Sequence, residues 1–392
     1  MAIFRSTPTE THEARGHAAQ GSQGDAVKPL IVDLETAWRG GQNQALLLLQ
    51  GLRERGHEPE LVAAAGSALA ERARACAVPI YLAGSPLAQW QAARVLRRVL
   101  RERPVSLVHA NEAHALTGAW LAQVHRSMPL VVSRRVGYPL KRNTLAAARY
   151  RAAARIIANS RWVAERAQAS GAPGEKLAVV YEGVKVPAAA TAEARQAARA
   201  RWGLQPDASV LGCVGALLPD KGQEWLIRAM ASLRAEFPKC GLLLAGDGPC
   251  RLRLQQLARK LEVLDAVTFA GFVEDVGSIY DALDLFLLPS FFDALNNSLL
   301  AAMAHELPCV AFAKGALPEI IEHEKSGLLV SGPNVAEISA SVAGLLRDPA
   351  HARALGLAAR RRVAERFSSA QMVEGTLRIY REVLSETVIR GG

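Results

Sequence analysis

Short apolar segments of strand length alternate with amphipathic stretches along most of the chain, and this alternation limits the possible folds more than any other feature. No apolar run among the 392 residues approaches the ~20 residues that a membrane-spanning helix needs. Strands that alternate with helices form βαβ units, and these build parallel sheets covered by helices. The pattern therefore predicts a globular α/β protein and excludes the disordered, fibrous and membrane-spanning classes.

The candidate strands fall into two series, which predict two doubly wound domains. The first series comprises 30–34, 60–64, 105–109, 130–133, 156–159 and 178–181, and the second comprises 210–214, 241–245, 267–270, 285–288, 309–311 and 327–330. A linker-like Val186-Pro187-Ala188 lies between them. We predict a disordered extension over 1–27, Rossmann-like domains over 28–187 and 188–368, and a separate C-terminal helix within 369–392.

The cysteines and the N-terminus indicate the compartment. The N-terminal 27 residues lack the apolar core of a secretory signal. An odd number of cysteines without a Cys-x-x-Cys pair fits a reducing cytoplasm and argues against a disulfide framework or a zinc site. These are Cys76, Cys213, Cys240, Cys250 and Cys309. We therefore expect a cytoplasmic protein without a zinc site.

The charge is distributed unevenly. Residues 1–200 contain 27 Lys and Arg against 15 Asp and Glu, whereas residues 201–392 contain 20 against 22. The net charge of +10 therefore belongs entirely to the first half. This asymmetry predicts an anionic partner on the N-terminal side, which is a membrane surface, an acidic glycan or a nucleic acid.

Two basic stretches carry most of this charge, one over 87–103 and one over 134–166. Their basic residues are Arg94, Arg97, Arg98, Arg101 and Arg103 in the first, and Lys141, Arg142, Arg149, Arg151, Arg155, Arg161 and Arg166 in the second, where Tyr138, Tyr150 and Trp162 are interleaved. On helices these side chains would face anionic lipid headgroups, or they are simply a solvated surface. We expect no nucleic-acid binding, because neither a basic helix-turn-helix nor an aromatic stacking platform is evident.

Three strand-to-helix loops carry residues suited to phosphate binding. Gly40-Gly41 precedes a predicted helix, where backbone N–H groups and the helix dipole favour an anion. A loop that begins with Gly215 follows the strand over 210–214, and Lys221 lies at its end. Ligands of open α/β sheets bind beyond the carboxyl ends of the strands, where this loop lies. Gly246 lies in the turn Gly246-Asp247-Gly248-Pro249. Each feature has a plainer alternative, which is an ordinary turn or a solvated lysine.

The segment Pro289 to Ala304 adds a carboxylate to these loops. Asp293 lies between a strand and a helix that begins near Asn297, and the N–H groups of 295–298 form a further anion site. A carboxylate beside a phosphate site is unfavourable unless it accepts hydrogen bonds, for example from sugar hydroxyls. The alternative is a helix cap by Asn296 or Asn297, which is compatible with ligand binding.

These motifs, in this order, resemble the retaining glycosyltransferases of family 4, which have the two-domain GT-B fold. The resemblance runs from about residue 29 to residue 386. It is carried by Gly40-Gly41, Arg55-Gly56-His57, Leu107-Val108-His109-Ala110, Glu182-Gly183-Val184, Pro219-Asp220-Lys221-Gly222, Ala245-Gly246-Asp247-Gly248-Pro249, the segment from Pro289 to Ala304, Pro318-Glu319-Ile320-Ile321 and Ser326-Gly327-Leu328-Leu329-Val330.

The resemblance implies a nucleotide-diphosphate-sugar donor held mainly by the second domain, with the acceptor mainly on the first. Lys221 would bind the donor phosphates, Asp293 would lie by the transferred sugar, and the C-terminal helix would cross back to the first domain. The resemblance then implies the catalytic set Asp293, Lys221 and Arg134, with no metal and no cofactor. The donor-binding set is Gly40, Gly41, Gly215, Lys221, Gly246, Asp293, Ala294, Leu295, Asn296, Asn297, Ser298 and Ala301.

Four residues depart from the family pattern. Ala301 stands where a second glutamate usually holds the ribose, and Ala216 stands where many members have a phosphate-binding arginine. Arg134 and Arg135 stand about where many members have a histidine near the donor sugar, and either would return the missing positive charge. The resemblance implies transfer to a lipid-linked or lipopolysaccharide-type envelope glycan at the inner face of the cytoplasmic membrane. The alternative is a degenerate member that acts as a non-catalytic binding or partner subunit.

Overall fold

The computed structural model describes residues 26–391 except for 85–87 and 141–143. The predicted extension therefore lies outside the described residues up to Asp25, as do Lys141 and Arg142 of the second basic stretch. Val27, which we assigned to the extension, belongs instead to the folded domain. Its side chain is buried in the core, and its backbone N–H donates to His57 Nδ1 at 3.1 Å.

The first domain is a parallel sheet of seven strands in the order β3-β2-β1-β4-β5-β6-β7, with helices on both faces. Its strands are β1 (Pro29–Asp33), β2 (Glu60–Ala64), β3 (Ile80–Ala83), β4 (Leu107–Ala110), β5 (Leu130–Arg134), β6 (Arg155–Ala158) and β7 (Leu177–Val179). Its helices are α1 (Gly40–Glu54), α2 (Ala68–Arg74), α3 (Ala88–Glu102), α4 (Ala113–Leu121), α5 (Thr144–Ala152) and α6 (Arg161–Ala169).

The second domain is a parallel sheet of six strands in the order β10-β9-β8-β11-β12-β13. Its strands are β8 (Ser209–Val214), β9 (Cys240–Ala245), β10 (Val267–Gly271), β11 (Leu285–Leu288), β12 (Cys309–Phe312) and β13 (Leu328–Val330). The accompanying helices are α7 (Ala192–Arg201), α8 (Gln223–Glu236), α9 (Arg251–Lys260), α10 (Gly277–Ala282), α11 (Asn297–Ala304), α12 (Leu317–Ile320), α13 (Val335–Arg347) and α14 (Pro349–Arg366).

The two doubly wound domains predicted from the sequence are confirmed, with one omission in the first. Strand β3 was not predicted. It lies at the edge of the sheet, and three of its four residues are at least partly exposed, so it lacks the buried apolar pattern of the other strands. The predicted boundary between residues 187 and 188 falls between the last strand of the first sheet and the first strand of the second.

The C-terminal helix α15 (Ser369–Gly391) crosses back to the first domain, as expected. It packs against α1, and its Val373, Leu377 and Tyr380 are buried in the same core cluster as the apolar residues of α1. Gly51 of α1 allows the close approach, because a Cβ added there would lie 2.5 Å from a methyl carbon of Val373. The two domains are therefore joined at a second place besides the linker.

In each parallel sheet the order in which successive strands are added reverses near the centre. The two points of reversal face each other. In the first sheet β1 lies between β2 and β4, and in the second β8 lies between β9 and β11. Crevices form at such positions beyond the carboxyl ends of the strands. Helix α1 follows β1 and helix α11 follows β11, so two helix N-termini are brought to the same cleft.

Two further expectations are addressed by the fold. None of the helices in the described part of the chain is long and apolar enough to cross a membrane. All five cysteines are free thiols, and four of them are buried. Burial raises the pKa of the Cys213 thiol to about 12, because the apolar surroundings disfavour the thiolate.

Candidate active site

A cavity of about 410 Å³ lies in the cleft between the two domains. Leu295 and Asn297 line it from the second domain. The first domain contributes the strand-to-helix loops, chiefly Glu35, Arg39, Gly40, Gly41, Gln42, Asn111, Glu112, His114, Ser133, Arg134, Arg135, Asn159 and Glu182. Of the residues predicted from the sequence, the cavity thus brings together Gly40, Gly41, Arg134, Leu295 and Asn297.

The N-terminus of α1 forms one wall of the cleft. Its N-cap residue, Arg39, makes no side-chain capping bond. A Cβ on Gly40 would lie 3.0 Å from Asn297 Nδ2, and one on Gly41 would lie 3.7 Å from Arg135 Cδ. Gly40 therefore lets the backbone of α1 come close to the opposite domain, whereas a Cβ on Gly41 would make only an ordinary contact at the floor of the cleft.

The N-terminus of α11 forms the opposite wall. Asn296 is its N-cap, and Oδ1 of this side chain accepts a hydrogen bond from the Leu299 N–H at 2.8 Å. No hydrogen bond within the described chain takes the backbone N–H groups of residues 295–298. Unpaired N–H groups at the positive end of a helix are an anion-binding arrangement. The cap and the predicted anion site therefore coexist.

Lys221 and Asp293 form an ion pair beside this helix. Lys221 Nζ lies 2.7 Å from Asp293 Oδ1, and Asn296 Nδ2 donates to Asp293 Oδ2 at 3.1 Å. The pair is largely shielded, with side-chain exposures of 23% for Lys221 and 9% for Asp293. The structure thus brings together the cation and the carboxylate that the sequence placed 72 residues apart.

Glycines fix the loops that carry this pair. Gly222 has a φ of +67°, and a Cβ there would lie 2.2 Å from the Pro289 carbonyl oxygen. A Cβ on Gly246 would lie 2.0 Å from the Gly215 carbonyl oxygen. These contacts exclude any side chain, so the loops after β8, β9 and β11 are locked together. Gly215 and Gly246 therefore act here through backbone packing, while their predicted contact with a donor stays a prediction.

The two consecutive arginines after β5 have different partners. Arg134 Nη1 donates to the Tyr150 hydroxyl at 3.1 Å, and its other terminal nitrogen donates to the Tyr138 carbonyl. Arg135 Nε lies 2.9 Å from Glu182 Oε1, at the floor of the cleft. Both arginines line the cavity, and the catalytic role of Arg134 stays a prediction.

Glu182 is the buried centre of this floor. Asn159 and Asn297 lie close to its carboxylate, in addition to its ion pair with Arg135. Burial nonetheless raises the pKa of the Glu182 carboxyl above its usual value, because the partners only partly offset the loss of water. Asn297 thereby links the second domain to a charged group of the first.

A second acidic group lies on the first-domain side and was not predicted. Glu35, Glu112 and His114 offer potential metal-ligand atoms within 4.8 Å of one another. The carboxylate of Glu112 already accepts the N–H groups of His114 and Ala115 as the N-cap of α4. Burial raises the pKa of Glu112 to about 7. The sequence signal for this group was limited to one acidic residue in the loop after β1 and one in the loop after β4.

Three predicted donor-binding residues are positioned less directly. The Ser298 side chain lies close to buried Tyr280, and Ser298 is not among the residues that line the cavity. Ala301 is half-buried and packs against the core of the second domain, and it is not among the residues that line the cavity. Ala294 is half-buried in the loop before α11. Their predicted donor contacts remain untested.

Two family models match separate parts of the chain. Residues 38–186 match the model described as Glycosyltransferase Family 4, and residues 208–348 match the model described as Glycosyl transferases group 1. The boundary between the two matches coincides with the boundary between the two sheets.

Curated relatives agree with this assignment. The chain is 32% identical over 327 residues to a D-inositol 3-phosphate glycosyltransferase of Kineococcus radiotolerans, covering 74% of each chain. It is 35% identical over 177 residues to a GDP-mannose-dependent alpha-(1-6)-phosphatidylinositol monomannoside mannosyltransferase of Mycolicibacterium smegmatis. That match covers 43% of this chain, and the chain spans about half the length of the mannosyltransferase, 46%.

Solved structures with lower identity have the same fold. A glycosyltransferase from Rickettsia africae superposes with a TM-score of 0.81 at 18% identity, covering 92% of this chain and 99% of that one. Anabaena HepE, solved in complex with UDP and glucose, superposes with a TM-score of 0.78 at 21% identity, covering 90% and 99%. The GT-B fold is thereby confirmed, and the chain belongs to the group 1 glycosyltransferases of family 4.

Proposed function

We propose that this chain is a retaining glycosyltransferase that transfers a sugar from a nucleotide-diphosphate-sugar to a lipid-linked or lipopolysaccharide-type envelope glycan. One observation carries the proposal: the unpaired N–H groups of residues 295–298 lie beside the Lys221–Asp293 ion pair. A phosphate suits the N–H groups and the ammonium, while a carboxylate suits sugar hydroxyls. A nucleotide-diphosphate-sugar carries both kinds of group.

In this proposal the second domain stabilises the leaving diphosphate. Lys221 and the N-terminus of α11 would neutralise the charge that develops on the diphosphate as the glycosidic bond breaks. Asp293 would accept a hydrogen bond from a hydroxyl of the transferred sugar, and Asn296 holds its second oxygen in place. The N-terminus of α1 would approach the diphosphate from the other wall. No step requires a metal in this proposal.

The relatives support the nucleotide-sugar donor but point to more than one base. The mycobacterial relative is named for GDP-mannose, whereas the Anabaena neighbour was solved with UDP and glucose. Ala301 and Ala216 remove two groups that usually contact ribose and phosphate in the family. The donor base and sugar are therefore questions for a screen.

The acceptor would enter the cavity from the first-domain side. Asn111 and Asn159 line it, and both are almost fully buried, at 2% and 3% exposure. Their Oδ1 atoms have no hydrogen-bond partner within the described structure. Buried unpaired acceptors are costly, and hydroxyl donors of a glycan would satisfy them. The lining therefore suits a sugar headgroup better than an acyl chain.

Helix α3 is the surface that we propose meets an anionic membrane from the cytoplasmic side. Trp90 is 56% exposed, and Arg94 and Arg97 border an open depression beside it. Gln89 of the same helix lies 2.7 Å from His114, which lines the cleft cavity. An acceptor with its lipid in the bilayer would therefore present its glycan next to the cavity.

The second basic stretch contributes less to this surface than the sequence predicts. Arg135 pairs with Glu182, Arg155 pairs with Glu386, and Arg166 Nε donates to the Gly137 carbonyl. Arginines that are paired with a carboxylate inside the protein, as Arg135 and Arg155 are, do not supply free charge to a membrane. Arg97 of α3 donates to the Leu121 carbonyl, which leaves its charge intact. The membrane proposal therefore rests on α3.

A donor screen tests the catalytic proposal. Purified protein is incubated with UDP-, GDP- and ADP-sugars and crude membrane glycolipid, and release of the nucleoside diphosphate is measured. We expect acceptor-dependent release with one donor, lost in Asp293→Ala but kept in the surface variant Asp207→Ala. Tight nucleotide binding without any release would favour the non-catalytic subunit, for which Ala216 and Ala301 are the sequence evidence.

Co-sedimentation with liposomes tests the membrane proposal. We expect binding that increases with anionic lipid and decreases at high salt, because the Debye length shrinks from about 10 Å at 0.1 M to about 3 Å at 1 M. Arg94→Glu combined with Arg97→Glu should abolish it, while Arg259→Glu in the second domain should not. Equal binding to neutral and anionic liposomes would contradict an electrostatic surface.

A further inference from the structure

The loop that carries Asp293 also carries an aromatic residue that enters the other domain. Phe292, immediately before Asp293, stacks on Tyr138 of the first domain, with ring centroids 5.2 Å apart and an interplanar angle of 24°. It meets Trp162 of α6 edge-on at 4.9 Å, and the Arg166 guanidinium lies 5.4 Å from its ring centre. Phe292 is thus surrounded by first-domain side chains on several sides.

Gly137, Trp162 and Arg166 of the first domain form the slot that holds the Phe292 ring. A Cβ on Gly137 would lie 2.0 Å from the Trp162 ring, so only glycine lets the loop after β5 lie against that indole. Arg166 donates to the Gly137 carbonyl and also stacks on Trp162, at 5.0 Å from its ring centre. Backbone, indole and guanidinium therefore hold one another in place around Phe292.

A second contact joins the two domains at α6. Glu319 of α12 accepts the backbone N–H groups of Arg161 and Trp162 at 2.9 and 2.8 Å, and the Tyr181 hydroxyl at 2.9 Å. These N–H groups open α6, where a helix has no internal acceptors for them. A carboxylate of one domain therefore caps a helix of the other, where the helix dipole favours negative charge.

Both contacts converge on Asp293. Phe292 adjoins it in the chain, and the loop before α12 holds its backbone, since the Ala316 N–H donates to the Asp293 carbonyl at 3.0 Å. Gly315 has a φ of +59°, and a Cβ there would lie 2.4 Å from the same oxygen. Movement of either contact relative to α6 would therefore displace the Asp293 backbone.

We propose that Phe292 and Glu319 form a domain latch on α6 that positions Asp293, so that the carboxylate takes its active position only while the two domains are closed. Phe292 and Glu319 are positioning residues in this inference, because they act on the ligand through Asp293. Its kinetic part rests on the proposed function, whereas the latch itself is a contact that is measurable without any substrate.

Hydrogen exchange resolved to single amides tests the latch directly in the full chain. The Arg161 and Trp162 amides should be protected in the native protein, because their only acceptor in the described structure belongs to the other domain. Glu319→Ala should remove this protection. Tyr138→Ala, which truncates a side chain that is 62% exposed and so spares the core, should speed exchange about tenfold through loss of the aromatic contact. The exposed second-domain variant Leu357→Ala is the matched control and should change neither amide.

The kinetic arm separates positioning from general damage. Phe292→Ala and Tyr138→Ala should each lower kcat/KM roughly 10- to 100-fold, as a misplaced reactive group does. The double variant should be little worse than either single one, and Phe292→Tyr and Tyr138→Phe should retain activity. Unprotected Arg161 and Trp162 amides in the native chain, or exchange unaffected by Tyr138→Ala, would overturn the latch even if no donor is found. Additive kinetic losses, with the exchange results as expected, would overturn only its role in positioning Asp293.

Discussion

The two walls of the cleft each present a helix N-terminus that follows a central strand, yet they are built differently. On the second-domain wall, α11 has a side-chain cap from Asn296 and an ion pair beside it. On the first-domain wall, α1 begins with two glycines and has no side-chain cap. Under the proposed function the two walls have different roles: the second wall holds a fixed charge for the donor, and the first wall lets its backbone approach the donor closely.

The walls also differ in where their titratable groups are buried. Asp33, Glu112 and Glu182 lie beneath the first-domain wall, and burial raises the pKa of each carboxyl. His109, also buried there, has its pKa lowered to about 3 by burial and by the charge of Arg135. The first-domain wall is therefore the place where pH should act on this molecule.

Removal of the fixed cation should have the largest effect. Lys221→Ala leaves Asp293 without its ion-pair partner and removes the ammonium that would balance the leaving diphosphate. Charged groups of this kind contribute about 10²- to 10³-fold to turnover. We expect donor-dependent activity to be lost while the circular dichroism spectrum is unchanged. Lys239→Ala, which removes an exposed lysine of the same domain, should retain full activity, and native turnover in Lys221→Ala would refute the phosphate assignment.

Filling the space between the N-terminus of α1 and the opposite domain should have a smaller effect. Gly40→Ala places a Cβ 3.0 Å from Asn297 Nδ2, so the asparagine must shift or the walls must separate. We expect nucleoside-diphosphate affinity to fall about tenfold, which corresponds to about 1.4 kcal/mol. Gly344→Ala, in a helix with open space around the position, is the matched control and should be neutral or stabilising. Equal affinity of Gly40→Ala and the native chain would show that the first wall does not touch the donor.

Restoration of the usual family carboxylate tests the ribose position. Ala301→Glu adds a hydrogen-bond acceptor one turn into α11, and a charged hydrogen bond contributes about 1.5–3 kcal/mol. If the ribose lies where the family resemblance places it, calorimetry should give tighter nucleotide binding. Because Ala301 packs against the core, thermal unfolding is measured in parallel. Weaker binding with unchanged stability would mean that the ribose is held elsewhere.

The last prediction concerns the pH dependence of stability rather than donor binding. The Glu112 pKa lies near 7 in the fold, above its ordinary value of 4.5, so the folded state binds the proton more tightly than the unfolded state. Its contribution to stability is therefore present below pH 4.5 and is lost as the pH rises through 7, at up to about 1.4 kcal/mol per pH unit. Glu112→Gln should flatten this part of the decline in urea unfolding between pH 5 and 8. Glu58→Gln, on the surface, should not, and identical pH profiles for native and Glu112→Gln chains would exclude Glu112 as the titrating group.

The sequence predicted most of the fold because buried parallel strands are continuous apolar runs with clear ends. It missed β3, whose partly exposed edge position removes that signal. In the site, Lys221 and Asp293 were predicted as separate motifs, and only the structure shows them as an ion pair. Arg134 and Arg135 were indistinguishable in sequence because neighbouring residues of a strand end point to opposite sides. The contacts of Phe292 and Glu319 are long-range and have no local sequence signal.

In the proposed function the second-domain wall binds the diphosphate of a nucleotide-sugar. Titration calorimetry with UDP, GDP and ADP, each against the native, Lys221→Ala and Lys239→Ala chains, tests it most directly. We predict that at least one nucleotide binds the native chain at a single site, that Lys221→Ala weakens this binding about tenfold or more, and that Lys239→Ala leaves it unchanged. Absence of binding by all three nucleotides, or equal affinity for the native and Lys221→Ala chains, would contradict the claim.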